Sequence, residues 1–161
     1  MTATLLRKAT LSFGSQGKAV EELQELLNRY HYGLPVDGIF GSWTEGCVKD
    51  FQLTHFLSND GIVGDQTWRA LYAGAPVDMP VLRRSSTGET VKLVQNILSL
   101  LVKDHLQHEP YYIGQVDGLY GQATENAVKA FQQNSGLPTD GTMGDRTWHA
   151  LSKHGYLLYY V

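Results

Sequence analysis

The chain has 161 residues, of which 42% are hydrophobic and 18% charged, and a formal net charge of −3. This length can form one ordinary hydrophobic core or two small ones, which excludes a purely disordered tail. The excess of acidic over basic residues argues against a nucleic-acid partner, because binding to phosphates depends on Lys and Arg.

The first predicted element is an amphipathic helix that begins near Lys18. Val20, Leu23, Leu27 and Tyr30 follow the spacing of one helix face. Because this stripe is apolar, we expect it to face a core.

Two further helices follow, each with an N-terminal signal. The second opens with Ser42-Trp43-Thr44-Glu45, a pattern typical of a capping box. The third is short and follows Asp65, which is a good N-cap residue. Asp-Gly pairs at 37–38 and 60–61 lie between the helices, where glycine supplies the positive φ that tight turns need.

The remaining chain repeats this pattern. Residues 36–71 align with residues 116–151 without a gap, and nineteen of the 36 positions are identical. Upstream, residues 17–24 match residues 88–95, so the second copy carries nine additional residues. The repeat predicts an all-α fold of two tandem small three-helix domains, with short strands at most in loops.

The repeat also predicts the segment boundaries. In chain order they are an N-terminal segment 1–10, a first domain 11–73, a Pro-containing linker 74–80, a second domain 81–153 with an insertion around 99–115, and an apolar C-terminal tail 154–161. The two linker prolines favour an extended spacer. We expect the tail to pack back on a domain or between the domains, because it is too apolar to lie free in water.

Each copy contains three ordered blocks. They are Gly-x-x-Val-x-x-x-Gln, then Val-Asp-Gly-x-Phe/Tyr-Gly-x-x-Thr-Glu-x-x-Val-Lys-x-Phe-Gln, then Asp-Gly-x-x-Gly-Asp-x-Thr-Trp. In these blocks the chain resembles the peptidoglycan-binding domain type 1 family. The resemblance implies three-helix domains that bind bacterial cell wall non-covalently, usually beside a wall hydrolase. It also implies a location in the cell wall, the periplasm or the extracellular space, although no signal peptide is visible.

The loop before the second helix of each copy is the candidate binding surface. Phe40 and Tyr120 occupy matching positions in it, and either ring can stack on a sugar or a methyl-bearing peptide. The alternative is a ring packed in its own core, which we favour for Phe40 but not for Tyr120, whose hydroxyl prefers a wet edge.

The helix N-terminus that follows this loop can bind a carboxylate. We expect a stronger anion site in the second copy, because Ser42 competes for the free N–H groups in the first. The alternative is that Thr124 or water satisfies the helix end.

Tyrosines that lie just upstream of these loops are expected to form the second wall of a ligand-binding groove, whose first wall carries Phe40 and Tyr120. The candidate ligand-binding residues are together Tyr32, Phe40, Gly41, Trp43, Thr44, Tyr111, Tyr112, Tyr120, Gly121, Gln122 and Thr124. By contrast, Asp37 and Asp117 are interpreted as turn residues that bond their own backbone. The aromatic residues on the inner helix faces, Phe51, Trp68, Phe131 and Trp148, are interpreted as core.

The sequence predicts no catalytic residue, no metal site and no cofactor. Gly46-Cys47-Val48 weakly resembles the nucleophile segment of L,D-transpeptidases, but Cys47 falls within a predicted helix with little to lower its pKa. His105 and His108 lie in the insertion and do not complete a zinc site. Glu45 and Glu125 are interpreted as first-turn helix residues rather than as a pair of glycosidase carboxylates.

The predicted function is therefore non-catalytic binding of peptidoglycan, through its glycan or its stem peptide, that targets or anchors a protein to the wall. A wall hydrolase is a candidate partner. The alternatives are a protein–protein interaction module on the same fold and, less favoured, a cysteine-dependent wall enzyme. No membrane span is expected, because the apolar runs are far shorter than the roughly 20 residues that one requires.

Overall fold

The computed structural model describes residues 7–103 and 109–161. The chain divides into two compact units, Met1–Val77 and Asp78–Val161. The helices of the first unit are α1 Lys18–Asn28, α2 Ser42–Thr54 and α3 Asp65–Ala73. Those of the second unit are α4 Glu89–Leu100, α5 Gln122–Asn134 and α6 Asp145–Ser152, and a 3₁₀ helix, Gly155–Tyr160, follows α6. The predicted fold of two tandem three-helix domains is confirmed. Within the described ranges, no helix is long and apolar enough to cross a membrane.

Strand pairing is limited to isolated bridges between loops. The bridges are Leu11–Val63 and Gln16–Ile39 in the first unit, and Leu82–Met143, Thr87–Leu119 and Val102–Pro110 in the second. The last of these lies within the insertion. The described residues form no continuous sheet, which confirms the prediction of short strands at most.

Each unit has its own core, built from the predicted helix faces. In the first unit, Val20, Leu23 and Leu27 of α1 are fully buried against Phe51 of α2. The residues at the corresponding core positions of the second unit are Val91, Val94, Leu98 and Phe131. Each such side chain contributes about 1.5–3 kcal/mol when it leaves water, so the stripes account for much of each unit's stability.

The helix N-termini differ from the predicted caps. Gly41 and Gly64, rather than Ser42 and Asp65, occupy the N-cap positions of α2 and α3. In the described part of the chain, no helix start has a side-chain cap hydrogen bond. The cap predictions for Ser42 and Asp65 are wrong, because each loop enters its helix one residue earlier through a glycine, which caps almost as well as a polar residue.

Trp68 and Trp148 are buried, as predicted, and each holds the segment that enters its unit. The indole Nε1 of Trp68 donates a hydrogen bond to the Ala9 carbonyl at 2.9 Å. The indole Nε1 of Trp148 donates to the Pro80 carbonyl at 2.8 Å. Residues 9 and 80 therefore contact their units, although each precedes the predicted domain start.

The C-terminal tail is part of the second unit. Its 3₁₀ helix packs against α4, with Leu157 and Leu158 half-buried. The tyrosines at 156, 159 and 160 stay largely exposed. The two leucines therefore account for the apolar contact that the tail makes with its unit.

Candidate functional site

One loop sequence occurs four times in the chain. Its pattern is Asp-Gly-x-x-Gly-x-x-Thr, at residues 37–44, 60–67, 117–124 and 140–147. The second glycine of each loop is the N-cap of the next helix, and the threonine lies in the first turn of that helix. Both loops of the candidate binding surface, 37–44 and 117–124, belong to this set.

A buried glutamine holds the first loop. Through Nε2, Gln24 donates to Asp37 Oδ1 at 2.8 Å, to the Ile39 carbonyl at 3.1 Å and to Thr44 Oγ1 at 3.3 Å. Its Oε1 accepts from the backbone N–H groups of Asp37 and Gly38, both at 3.0 Å. Because Gln24 is almost completely buried, water does not compete for these bonds, and the loop conformation is fixed.

The other three loops repeat this arrangement around the buried glutamines Gln52, Gln95 and Gln132. Each side-chain amide donates to the loop aspartate, to a loop carbonyl and to the loop threonine, and each accepts from the glycine N–H. This role of the glutamines was not predicted from the sequence. The available signal was a glutamine recurring next to apolar core positions, ahead of each Asp-Gly pair.

Asp37 and Asp117 form turns with their own loops, which confirms their predicted role. Oδ1 of Asp37 accepts from the Ile39 N–H at 2.9 Å, and Oδ1 of Asp117 accepts from the Leu119 N–H at 2.9 Å. The hydrogen bond from Gln24 lowers the pKa of Asp37, and the Leu119 N–H lowers the pKa of Asp117. Both carboxylates are thus ionised at neutral pH and engaged in the loop.

The rings of Phe40 and Tyr120 are buried, at 1% and 2% exposure. The core alternative therefore holds for Phe40, and the expectation of a wet, exposed Tyr120 is wrong. Its hydroxyl finds a buried partner instead, donating to the Gly141 carbonyl at 2.7 Å. Burial raises the pKa of Tyr120 well above its usual value, so the hydroxyl remains a donor. Neither ring can stack on a ligand at the surface.

The expected second wall is also largely internal. Tyr111 and Tyr112 are buried, and the Tyr112 hydroxyl donates to the Gln115 carbonyl at 2.6 Å. Tyr32 is half-buried and donates to Asp50 Oδ2 at 2.5 Å. These rings are held by their own units, and Tyr111 lines a hollow away from the Asp-Gly loops, so the prediction of one tyrosine wall beside those loops is wrong.

The loop threonines are buried as well. Thr44 and Thr124 are at most 3% exposed and accept from Gln24 and Gln95. They support the loop from inside, and their side chains are not available to a ligand.

Trp43, Gly121 and Gln122 remain exposed, and Gly41 is half-buried. Gln122 donates through Nε2 to Asn126 Oδ1 at 2.8 Å. The N-cap positions of α2 and α5 are equivalent glycines without a side-chain cap bond among the described residues. Ser42 therefore does not distinguish the two helix ends, and the reason given for a stronger anion site in the second copy is wrong.

An exposed apolar surface surrounds the first loop. Trp43 is 59% exposed, Phe13 63% and Ile39 53%. Backbone hydrogen bonds of 2.9 Å from Gly14 N–H to the Phe40 carbonyl and from Phe40 N–H to the Ser15 carbonyl join the segment carrying Phe13 to the loop. We call Phe13, Ile39 and Trp43 the apolar patch of the first unit.

The second unit differs at the same positions. The repeat aligns Phe13 with Arg84 and Trp43 with Ala123, while Ile39 is matched by the similar Leu119. Arg84 forms an ion pair with Glu125 at 2.8 Å. The two exposed aromatic rings of the patch are therefore specific to the first unit.

Each unit also has an open hollow beside the loop that precedes its third helix. The hollow of the first unit has a volume of about 300 Å³ and is lined by Asp60, Ile62 and Asp65 among others. The equivalent hollow of the second unit measures about 200 Å³ and is lined by Asp140, Thr142 and Asp145 at the same positions. The sequence analysis did not assign a site to these loops.

Cys47 is poorly placed to act as a nucleophile. It is 7% exposed, and desolvation together with the neighbouring charge of Asp50 raises the pKa of its thiol. His105 and His108 lie outside the described residues. Among the residues that are described, no group of three or more His, Cys, Asp or Glu side chains is arranged to hold a metal ion.

The chain is similar to curated proteins that are named as an amidase and a cortex-lytic enzyme. It is 32% identical to the N-acetylmuramoyl-L-alanine amidase CwlL of Bacillus licheniformis, over 91% of this chain and 44% of that protein. It is 36% identical to a spore cortex-lytic enzyme of Bacillus cereus, over 45% of this chain and 25% of that protein. The chain therefore spans less than half the length of these curated relatives.

A solved structure is also similar to the chain in sequence. The Burkholderia AP3 phage endolysin is 34% identical over 56% of this chain and 33% of its own, with a TM-score of 0.41. The model of the family described as putative peptidoglycan binding domain matches residues 16–71 and 87–151. These two segments make up most of the chain, which thus belongs to the putative peptidoglycan binding domain family and carries two copies of that domain.

Proposed function

We propose that the chain binds bacterial peptidoglycan without acting on it chemically, and that it anchors a wall-active protein or partner at the wall. The apolar patch of the first unit carries this proposal. Trp43 and Ile39 belong to the loop that Gln24 holds, and Phe13 lies on the segment that pairs with this loop through backbone hydrogen bonds, so little conformational entropy is lost when a ligand binds. Aromatic faces of this kind stack on sugar rings and on methyl-bearing peptide groups.

Two observations support binding rather than catalysis. The family model that matches residues 16–71 and 87–151 is described as a binding domain. The thiol of Cys47, the nucleophile considered from the sequence, is buried and has a raised pKa. A wall hydrolase is therefore the proposed partner, and the wall or the extracellular space the proposed location.

The two units are proposed to contribute unequally. The first presents Phe13 and Trp43, whereas the second presents Arg84 and Ala123 at the same positions. We expect the first unit to provide most of the affinity for intact wall. A second, weaker contact on the same chain still increases avidity when both units reach one polymer.

Co-sedimentation of the full chain with purified wall sacculi tests the proposal. The chain should pellet with sacculi and release no soluble fragments. Trp43→Ala should weaken binding about two- to tenfold, since an aromatic contact contributes roughly 0.5–1.5 kcal/mol beyond its buried area. The matched control is Tyr160→Ala, which removes a ring that is 76% exposed and lies outside the loops, and it should leave binding unchanged.

Each other outcome has a definite meaning. A chain that does not pellet with sacculi at modest salt refutes the proposal and favours a protein–protein interaction module. Release of soluble muropeptides refutes the absence of catalysis. Equal losses for Trp43→Ala and Tyr160→Ala refute the assignment of the patch.

A further inference from the structure

The second unit contains a hollow of about 410 Å³ that is separate from the Asp-Gly loops. It lies where the end of α4, the end of α5 and the C-terminal 3₁₀ helix meet. Its lining includes Leu101, Lys103, Phe131, Ser135, His154 and Leu157. This volume is within the range of small-molecule sites, which is about 300–1,000 Å³.

In the first unit, aromatic side chains occupy the equivalent position. Tyr30 packs edge-on against Phe51, with ring centroids 5.0 Å apart, and against His55 at 5.5 Å. His55 stacks on Phe51 at 3.9 Å. The Tyr30 hydroxyl donates to the Leu71 carbonyl at 3.4 Å, so this group of rings is packed from both sides.

The second unit has lost two of these three rings. The repeat aligns Tyr30 with Leu101 and His55 with Ser135, while Phe51 is retained as Phe131. Both replacements are smaller than the rings they replace, and both line the hollow. The smaller side chains therefore leave open part of the space that Tyr30 and His55 fill in the first unit, while Tyr111 packs edge-on against Phe131 at a centroid distance of 5.7 Å.

Elements that the first copy lacks at this position complete the hollow. His154, aligned with Gly74, contacts Phe131 edge-on at a centroid distance of 6.1 Å, and Leu157 comes from the 3₁₀ helix. Asn134 donates through Nδ2 to the Tyr111 hydroxyl at 2.8 Å, which fixes the ring of a tyrosine that also lines the hollow. These contacts hold Phe131 and Tyr111 in the wall of the hollow.

The chemistry of the lining selects one kind of ligand. Leucine and phenylalanine carbons favour small alkyl groups, while Asn134, Ser135 and His154 offer polar partners. Lys103 supplies a positive charge, and no carboxylate is among the described residues that line the hollow. The surroundings therefore suit a compact molecule with methyl groups, an amide and one negative charge.

We propose that this hollow binds the carboxylate end of a short alanine-containing peptide, such as the terminus of a peptidoglycan stem peptide. The alanine methyl groups lie against Leu101 and Leu157, and the terminal carboxylate faces Lys103. This inference rests on the proposed function for the choice of polymer. It adds a peptide site in the second unit to the glycan-compatible patch of the first.

The probe for this site is N-acetyl-D-alanyl-D-alanine, titrated into the full chain and followed by NMR. Shifts should appear at Leu101, Phe131 and Leu157, and the C-terminally amidated peptide should bind about two- to fivefold more weakly, as expected for a partly exposed charge pair. Lys103→Gln should give the same loss. The matched control Lys49→Gln removes an exposed lysine of the first unit that does not line the hollow and should change nothing.

A second variant tests the location independently of charge. Ser135→His restores the residue of the first unit and should fill the hollow and abolish the shifts. If that variant does not fold, Lys103→Gln alone still decides the question, because its side chain is exposed. Absence of shifts at millimolar peptide, equal binding of the amidated peptide, or shifts confined to other residues would each overturn the proposal. Chitobiose binding in the hollow instead of the peptide would also overturn it. Sacculi binding that persists in any of these cases leaves the proposed function intact.

Discussion

Replacing one of the buried glutamines tests whether these side chains, rather than the exposed loop residues, determine the loop conformation. We choose Gln132→Met, because methionine has nearly the shape of glutamine but cannot donate and accept in its place. Gln132 donates to Asp140 Oδ1 at 2.9 Å, the Thr142 carbonyl at 3.0 Å and Thr147 Oγ1 at 3.1 Å. It accepts from the Gly141 N–H at 2.9 Å.

The expected loss follows from which of these partners water can reach. Two amide hydrogens serve three acceptors, so one bond is shared. Asp140 is exposed and Thr142 half-buried, and both can be hydrated after the change. Gly141 is buried, and its N–H is left without an acceptor, at a cost of about 1–3 kcal/mol. With the net loss of the remaining bonds, we expect the free energy of unfolding of the second unit to fall by about 2–4 kcal/mol.

Urea unfolding followed by NMR measures this loss, because signals from each unit report on that unit separately. The matched control is Gln133→Met, the adjacent and exposed residue of α5, which should change the free energy of unfolding by less than about 0.5 kcal/mol. A loss for Gln132→Met no larger than that of the control would refute the reasoning.

Three further outcomes are expected. Tyr120→Phe, which leaves the Gly141 carbonyl without its side-chain donor, should cost about 1 kcal/mol in the same unfolding measurement, and a neutral result would show that this bond does not stabilise the fold. Asp37, Asp117 and Asp140 have pKa values lowered by loop hydrogen bonds. The hydrogen bonds of these carboxylates therefore stabilise the folded state fully above the pKa of unfolded carboxyl groups, which is near 4. This stabilisation is lost as the pH falls through the lower pKa values that the carboxyl groups have in the folded state. The melting temperature should decrease below about pH 4, and a flat profile down to pH 2 would contradict this. Cys47 should react slowly with a thiol reagent in the native chain and rapidly in urea, whereas fast native labelling would revive the cysteine mechanism.

The fold could be predicted because its main determinants are periodic and occur twice. The stripe from Val20 to Leu27 and its counterpart from Val91 to Leu98 have helical spacing, and the burial of these residues follows directly from it. The second copy repeats each of the three helices despite its nine additional residues. The caps could not be predicted from residue preference alone, since Gly41 and Gly64 serve as N-caps where Ser42 and Asp65 were expected.

The candidate site was harder to predict because side-chain direction within a short loop depends on tertiary contacts. Phe40 and Ile39 are adjacent, yet one is buried and the other half exposed. The hydroxyl of Tyr120 suggested a wet position, but the Gly141 carbonyl, 21 residues away, satisfies it inside the unit. This long-range contact determines whether Tyr120 is buried, and it cannot be predicted from the sequence.

The divergence of the two units permits a test by gain of function. If Trp43 and Phe13 provide the affinity of the first unit, the same rings should act in the second, whose loop is held by Gln95 in the same way. Ala123→Trp combined with Arg84→Phe transfers them. Both positions are exposed, so the fold should tolerate the change, and Glu125 keeps an ion pair with Lys129 at 2.6 Å.

The double variant should bind sacculi more tightly by about the factor that Trp43→Ala loses, roughly two- to tenfold. Asn126→Trp, which adds an exposed ring one turn further along α5, is the matched control and should not increase binding. Equal gains for both variants would mean that added hydrophobicity alone promotes wall binding. Only a gain specific to the loop positions supports a binding surface whose geometry is set by the buried glutamine. The two units share this loop and its glutamine, and they differ in the exposed side chains that the loop carries.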